Sequence, residues 1–151
     1  RPAVETVTDE IPGYSFALGK GCTLRGGSDA TVIATGMMVQ MALKAAEQLQ
    51  AEGISLRVID MPTIKPLDEA LVLQAAQETG VIVTSEEHSV IGGLGAAVAE
   101  YLSENYPVPV IRHGVEDCFG RSGTAAAVLA HYGLTPEVLC QKVKLALSKK
   151  R

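Results

Sequence analysis

The sequence predicts an α/β fold: a three-layer α/β/α sandwich around a five-stranded, mostly parallel mixed sheet with one antiparallel edge strand. Three observations lead there. Short β-branched runs alternate with stretches whose apolar residues recur three to four apart, the pattern of buried strands feeding amphipathic helices. Glycines or prolines punctuate nearly every junction between them. Hydrophobic residues make up 47% of the 151 positions but aromatics only 4%, with no Trp, so one core must be assembled from Val, Ile, Leu and Ala.

Residues 1–15, with Pro2, Pro12 and Gly13, read as an extended linker from a preceding domain, and residues 16–151 as the folded domain. Phe16 to Leu24 is a candidate edge strand, interrupted by Gly19 and Gly21 and ended by Arg25-Gly26-Gly27-Ser28-Asp29. So short a glycine turn favours an antiparallel hairpin with the next strand. That strand is Ala30 to Thr35, which Gly36 releases into a helix from about Met37 to Glu52. Val39, Leu43, Ala46 and Leu49 give this helix its buried face, and Gly53 stops it. Leu56 to Ile59 forms the following strand. In the connector after it, Pro62 and Pro66 forbid continuous helix and stiffen the path.

Asp68 caps a helix reaching Thr79, ended by Gly80. Val81 to Thr84 is a buried strand, and a helix rich in alanine runs on to Asn105. Pro107 and Pro109 flank the start of a last strand, Val108 to Arg112. His113 to Gly123 reads as a long polar loop before two short helices. Thr135-Pro136-Glu137 announces the second of these, with a cap, a proline at the first helical position and an acid on the positive end. Right-handed crossovers between such strands put helices on both faces of the sheet.

Composition excludes several functions. A formal charge of −4 without a basic stripe argues against nucleic acid, whose backbone demands clustered Lys and Arg. No apolar run approaches a membrane span. Cys22, Cys118 and Cys140 match neither a disulfide framework nor a zinc pattern, which fits a reducing cytoplasm. Arg1-Pro2-Ala3-Val4 has no signal structure and no initiating Met, as expected of a piece of a longer protein.

The segment Val81 to Tyr101 holds the candidate site: Glu86, Glu87 and His88, then Gly92-Gly93-x-Gly95. A polar loop at the carboxyl end of a strand is where open α/β sheets place ligand or partner contacts. Its glycines come too late for a dinucleotide fingerprint. Glu87 and His88 suit general acid–base work but have no nucleophile fixed beside them, so a solvated loop or domain interface is the expectation. Gly19-Lys20-Gly21 is not a phosphate loop, Gly120-Arg121-Ser122-Gly123 is not a nucleophile elbow, and the three histidines share no ligand spacing. The connector Met61 to Leu67 and the segment Arg121-Ser122-Gly123 are expected at the same edge of the sheet as the Glu86 loop. There Arg121 is opposite in charge to Glu86 and Glu87, and Gly92 and Gly93 permit close approach of a partner's backbone.

An ordered series of motifs carries a family resemblance across roughly Asp29 to Gly133: Ala34-Thr35-Gly36; Arg57 to Asp68, with its Asp-Met-Pro-Thr-Ile-Lys-Pro core; Glu86-Glu87-His88 with Gly92-Gly93-x-Gly95; and Arg121-Ser122-Gly123. The series resembles the C-terminal domain of transketolases, particularly the shorter or two-subunit kind. Deoxyxylulose-phosphate synthases and the beta subunits of 2-oxo-acid dehydrogenases share the Glu-Glu and Gly-Gly-x-Gly loop. The resemblance implies a parent enzyme of the pentose phosphate pathway that moves a two-carbon ketol unit between sugar phosphates, using thiamine diphosphate and Mg2+. In the family a Gly-Asp-Gly motif of another domain holds the cofactor, and this chain has none. The resemblance therefore makes the chain a domain without catalytic, cofactor or metal ligands of its own. Glu86, Glu87, His88, Gly92, Gly93, Gly95, Arg121 and Ser122 are then interface or regulatory residues. Its partners are the remaining domains or an N-terminal subunit, within a homodimer or heterotetramer. The Arg1-Pro2 context resembles the junction where related enzymes set an arginine against the substrate phosphate, a task suited to bidentate bonding. An independent small-molecule binding domain, with its ligand in the Glu86 to Gly95 loop, is the rival reading.

Overall fold

The computed structural model describes residues 6–9 and 11–150. In chain order the elements are β1 (Cys22–Arg25), β2 (Ala30–Ala34), α1 (Met38–Ala51), β3 (Leu56–Asp60), α2 (Glu69–Thr79), β4 (Ile82–Ser89), α3 (Leu94–Asn105), β5 (Val110–Val115), α4 (Ala125–His131) and α5 (Pro136–Ser148). The sheet has five strands in the order β1-β3-β2-β4-β5. β1 runs antiparallel to β3, and the other pairs are parallel. No helix among the described residues is long and apolar enough to cross a membrane.

Two apolar layers sandwich the sheet because successive strand residues point to opposite faces. Val32, Val58 and Val83 face one way and are closed over by α1 and α5. Ile33, Ile59 and Ile82 face the other way and meet α2 and α3. Small residues set the spacing: Ala42, Ala45 and Ala46 on α1, and Ala75 and Ala76 on α2, are fully buried. The caps form where the sequence places them. Asp68 accepts from the Leu71 amide at 3.2 Å, and Gly80 closes α2 in a left-handed conformation. Thr135 accepts from the Val138 amide with Pro136 beside it, though α5 is a full 13-residue helix rather than a short one.

The edge strand departs from expectation. It is antiparallel, but its partner is β3, so the hairpin with β2 does not form. The glycine turn instead carries the chain across the start of β3. A Cβ on Gly27 would lie 2.3 Å from the Leu56 carbonyl carbon, and Asp29 accepts from the Ser55 amide at 2.7 Å. β1 is also shorter than Phe16 to Leu24. Gly19 has φ +74 and gives its amide to the Thr63 hydroxyl, which binds the preceding segment to the Pro62–Pro66 connector instead of to the sheet.

The last strand begins at Val110 and runs through His113, which is buried rather than looped out. Its Nε2 lies 2.8 Å from the Gly133 carbonyl, and its Nδ1 lies 2.9 Å from the Ser85 hydroxyl. A carbonyl only accepts, so Nε2 carries the proton and Nδ1 accepts from Ser85. The ring thus ties β4 and β5 to the turn before α5. Burial pushes the imidazole below its ordinary range, with Lys142 acting the same way; the bond to Gly133 and the charge of Glu116 oppose them.

A lowered folded value means the unfolded chain binds the proton more readily. The stability this group contributes is present above the ordinary histidine range of about 6.5 and is lost as pH falls through it. The melting temperature of the wild-type chain should therefore fall more steeply below that pH than that of His113→Gln. Parallel melting profiles for the two proteins would remove His113 as the source.

Candidate functional site

The strand order reverses between β2 and β4, since the chain builds outward to β3 on one side before returning for β4. Loops leaving the carboxyl ends of two such strands diverge and leave a crevice. A crevice of about 560 Å³ lies there, lined by Thr35, Gly36 and Met37 after β2, Pro62 and Ile64 after β3, and Glu86, Glu87, His88, Gly92 and Gly93. The connector between Pro62 and Pro66 therefore does lie beside the Glu86 segment, as expected of connections that leave the same edge of the sheet. Thr35, Gly36 and Met37 complete the crevice, although the sequence marks them as a strand end and helix start, with Thr35 and Gly36 in a family motif, and gives them no site role.

Glu86 is not part of a solvated loop. β4 continues through Ser89, and Glu86 is 1% exposed. The pleat sends Ile82, Thr84 and Glu86 toward α3, which places the Glu86 carboxylate under the first turn of that helix. Oε2 accepts from the Leu94 amide and Oε1 from the Gly95 amide, both at 2.8 Å. These amides belong to the open, positive end of α3, where no side chain of Gly93 can cap. The carboxylate thus serves as a cap supplied from the neighbouring strand.

That arrangement fixes the glycines. A Cβ on Gly93 would lie 2.0 Å from Glu86 Oε2 and 3.0 Å from His88 Nδ1. A Cβ on Gly95 would lie 2.7 Å from the Thr84 hydroxyl and 2.9 Å from Arg112 Cγ. The space beside Gly93 is therefore filled by its own chain, which corrects its expected role of admitting a partner's backbone. Gly92 has φ +75 and open space around it.

Beyond Ser85 the pairing with β5 slips. From Ser85 to Ser89, β4 advances four residues while β5 advances two, from His113 to Val115. The excess bulges outward and carries Glu87 and His88 to the surface. Gly114 lies opposite, where a Cβ would come 2.7 Å from the His88 carbonyl oxygen. His88 turns Nδ1 to the Ser89 carbonyl at 2.8 Å and stays 3.9 Å from Glu86 Oε2.

Arg121 and Ser122 follow β5 and so belong to the same edge, where both are exposed. Neither Glu86 nor Glu87 forms an ion pair with Arg121 among the described residues: Glu86 is engaged by backbone amides, and Glu87 remains at the surface. Arg1 lies outside the described residues. At the end of β3, Asp60 is buried on the opposite face from Met61, and its carboxyl is pushed up by desolvation. It shares no side of the crevice with Glu86.

The crevice does not fit thiamine diphosphate. Two carboxylates and a histidine line it without a lysine or arginine, and a diphosphate brought there would meet like charge. The described residues contain no group of three His, Cys, Asp or Glu arranged to hold the metal that offsets such charge.

Residues 19–139 match the family described as the C-terminal domain of transketolase. The chain is 50% identical over 137 residues to a 6-deoxy-6-sulfo-D-fructose transketolase subunit of Clostridium sp. (strain MSTE9), an alignment covering 89% of this chain and 41% of that protein. It is 43% identical over 131 residues to the 1-deoxy-D-xylulose-5-phosphate synthase of Syntrophotalea carbinolica, covering 86% of this chain and 21% of that one. A solved split-gene transketolase, an inactive beta4 tetramer, superposes with a TM-score of 0.94 at 50% identity, over all of this chain and 49% of that one. The chain spans half or less of the length of these relatives.

Gly93→Ala should destabilise the chain by about 2–4 kcal/mol, since the added methyl must displace a carboxylate held by two backbone amides. Glu86→Gln keeps the shape but turns an N–H group toward one of those amides, at a cost of about 1.5–3 kcal/mol. Urea midpoints measure both. A Gly93→Ala midpoint equal to wild type would show that Glu86 can leave its position freely.

Proposed function

On the premise that this chain belongs to the transketolase C-terminal domain family, we propose that it is the assembly domain of a thiamine-diphosphate-dependent enzyme and supplies none of the reacting groups. The parent transfers a two-carbon ketol unit between sugar phosphates. Thiamine diphosphate supplies the carbanion chemistry of such enzymes, held with Mg2+ by other domains or by an N-terminal subunit. Residues 1–15 join the domain to what precedes it, and Arg1 reaches the substrate phosphate at that junction. The parent works as a homodimer or heterotetramer in the cytoplasm, a compartment that suits three free cysteines.

One observation carries the reading: the most buried acid of the crevice is spent on structure. Both Glu86 oxygens accept from the first amides of α3, so the group is held in place by the fold. A general acid or base needs a free oxygen within reach of a reacting proton. Glu87 and His88 stand at the surface on a bulge, where side chains are poorly fixed for chemistry and well placed for contact. The split-subunit relative and the beta4 tetramer support a role in association.

The 43% identity to a 1-deoxy-D-xylulose-5-phosphate synthase favours one alternative, in which the parent condenses a decarboxylated 2-oxo acid with a sugar phosphate. The role of this chain is the same in either parent.

Ketol transfer from a ketose phosphate to an aldose phosphate, with thiamine diphosphate and Mg2+ supplied, should show no turnover by the 151-residue chain. Measurable turnover by this chain alone would overturn the proposal.

A further inference from the structure

Asp60 is a buried acid without a donor. It ends β3 on the face it shares with Val58 and is 8% exposed, yet its carboxyl has no hydrogen-bond or ion-pair partner among the described residues. The other two buried acids are supplied. Glu86 takes two amides of α3, and Asp68 takes those of Leu71 and Gly21. A buried carboxylate with nothing to accept from is costly, so one kept in a native fold calls for a partner.

Three groups surround it. Cys22 stands directly opposite on β1, so the two side chains share a face. Gly21 seats the chain tightly there, since its Cβ would lie 3.1 Å from the Asp60 carbonyl oxygen. Tyr14 comes in from the segment before β1. Burial pushes its phenol up, and the charge of Asp60 adds to this, followed by that of Cys22. Such an influence weakens with distance, which sets the Tyr14 side chain near the carboxyl. A thiol is a weak donor and a phenol a strong one. The nearby cations do not serve: Lys20 pairs with Asp68 at 3.7 Å, and Lys65 forms no ion pair with Asp60 among the described residues.

The segment that carries Tyr14 is held at both ends. Upstream, Val7 packs against the core layer under α1 and α5. Downstream, Gly19 gives its amide to Thr63, and a Cβ there would press to 2.7 Å from Pro66 Cγ. Gly13, at φ +75, has open space around it, and Ser15 to Leu18 are all exposed, Phe16 and Leu18 among them. A stretch fixed at its ends and freed at a glycine can settle in two positions without disturbing either anchor.

We propose that residues 14–18 are a strap that closes over the end of β3, with the Tyr14 hydroxyl donating to the Asp60 carboxylate. Closure supplies the acid with its donor and draws Phe16 and Leu18 in toward Ile64, on the connector to which Gly19 is tied. Because Pro62 and Ile64 line the crevice, the strap joins the chain before Gly13 to one wall of it. The proposal goes beyond the assembly role above and does not depend on it.

Chymotrypsin cleavage of the 151-residue chain, read by mass spectrometry, tests it. Phe119, 99% exposed and far from the strap in sequence, serves as the internal standard. Tyr14→Phe removes the donor and Asp60→Val the acceptor. Each should speed cleavage at Phe16 relative to Phe119 by about tenfold, the effect of one hydrogen bond to a charged group on the open fraction. The double variant should be cleaved no faster than either single one, because both remove the same contact. A purely structural role would lower global stability in step, so urea midpoints are read beside the cleavage. Asp60→Val should keep its midpoint at or above wild type, since it removes a buried charge, and Tyr14→Phe should leave it unchanged. Wild-type cleavage in both single variants overturns the strap, as do effects that multiply in the double variant. An effect of Asp60→Val without one of Tyr14→Phe gives the carboxyl another donor and overturns it too, as does faster cleavage matched by a fallen midpoint. None of these outcomes bears on ketol transfer, so the strap and the proposed function stand or fall separately.

Discussion

The Glu86 carboxylate under the first turn of α3 is the contact on which the carboxyl edge depends. Burying an unpaired carboxylate costs several kcal/mol. Here two backbone amides at 2.8 Å offset that cost, each bond to a charged acceptor contributing about 1.5–3 kcal/mol. The exchange is reciprocal. The helix start has no capping side chain of its own, because Gly93 precedes it, so its orphan amides would otherwise lie buried without acceptors. One side chain satisfies both debts of hydrogen bonding, and it does so across two elements, which locks α3 to β4 in angle as well as distance.

From this contact the surrounding residues follow by exclusion. The carboxylate occupies the volume of a Cβ at Gly93, and the close seating of α3 on the sheet removes that at Gly95. Extending β4 far enough to bring Glu86 beneath the helix overshoots the pairing available on β5, so the strand bulges. The bulge needs Gly114 opposite, and it turns Glu87 and His88 outward. One buried acid thus determines which of three consecutive polar residues is structural and which two are presented to the surroundings.

Much of the fold was legible because local and global preferences agree. Asp68 and Gly80 bracket α2, Thr135 and Pro136 start α5, and β-branched runs mark the buried strands. What failed was what depends on neighbours distant in sequence. Gly26 and Gly27 carry the same local signal whether the chain turns back on itself or crosses the start of β3; a strand about thirty residues later decides. The end of β4 was hidden for a similar reason. Glu-Glu-His reads as loop by polarity, yet period-two alternation from Ile82 through Thr84 already sends Glu86 to the α3 face, and the glycines after it leave a helix end in need of an acceptor. That combination was readable. The buried pair Ser85 and His113 was not, since nothing in either residue's surroundings in sequence announces the other.

The same topology in other proteins yields a ligand crevice at the strand reversal, and the charge of its walls decides whether this one does. Two helix starts face such a crevice, and both ordinarily favour an anion. At α3 the positive end is consumed by Glu86. At α1 it is uncapped by any side chain, but Glu87 and His88 stand across the opening. An entering phosphate would gain one helix end and face two carboxylates, a balance set against it. A guanidinium or ammonium meets the reverse balance, and a protein surface can deliver one together with apolar area. The geometry that suits an anionic ligand elsewhere is therefore turned by one pair of glutamates toward cationic groups.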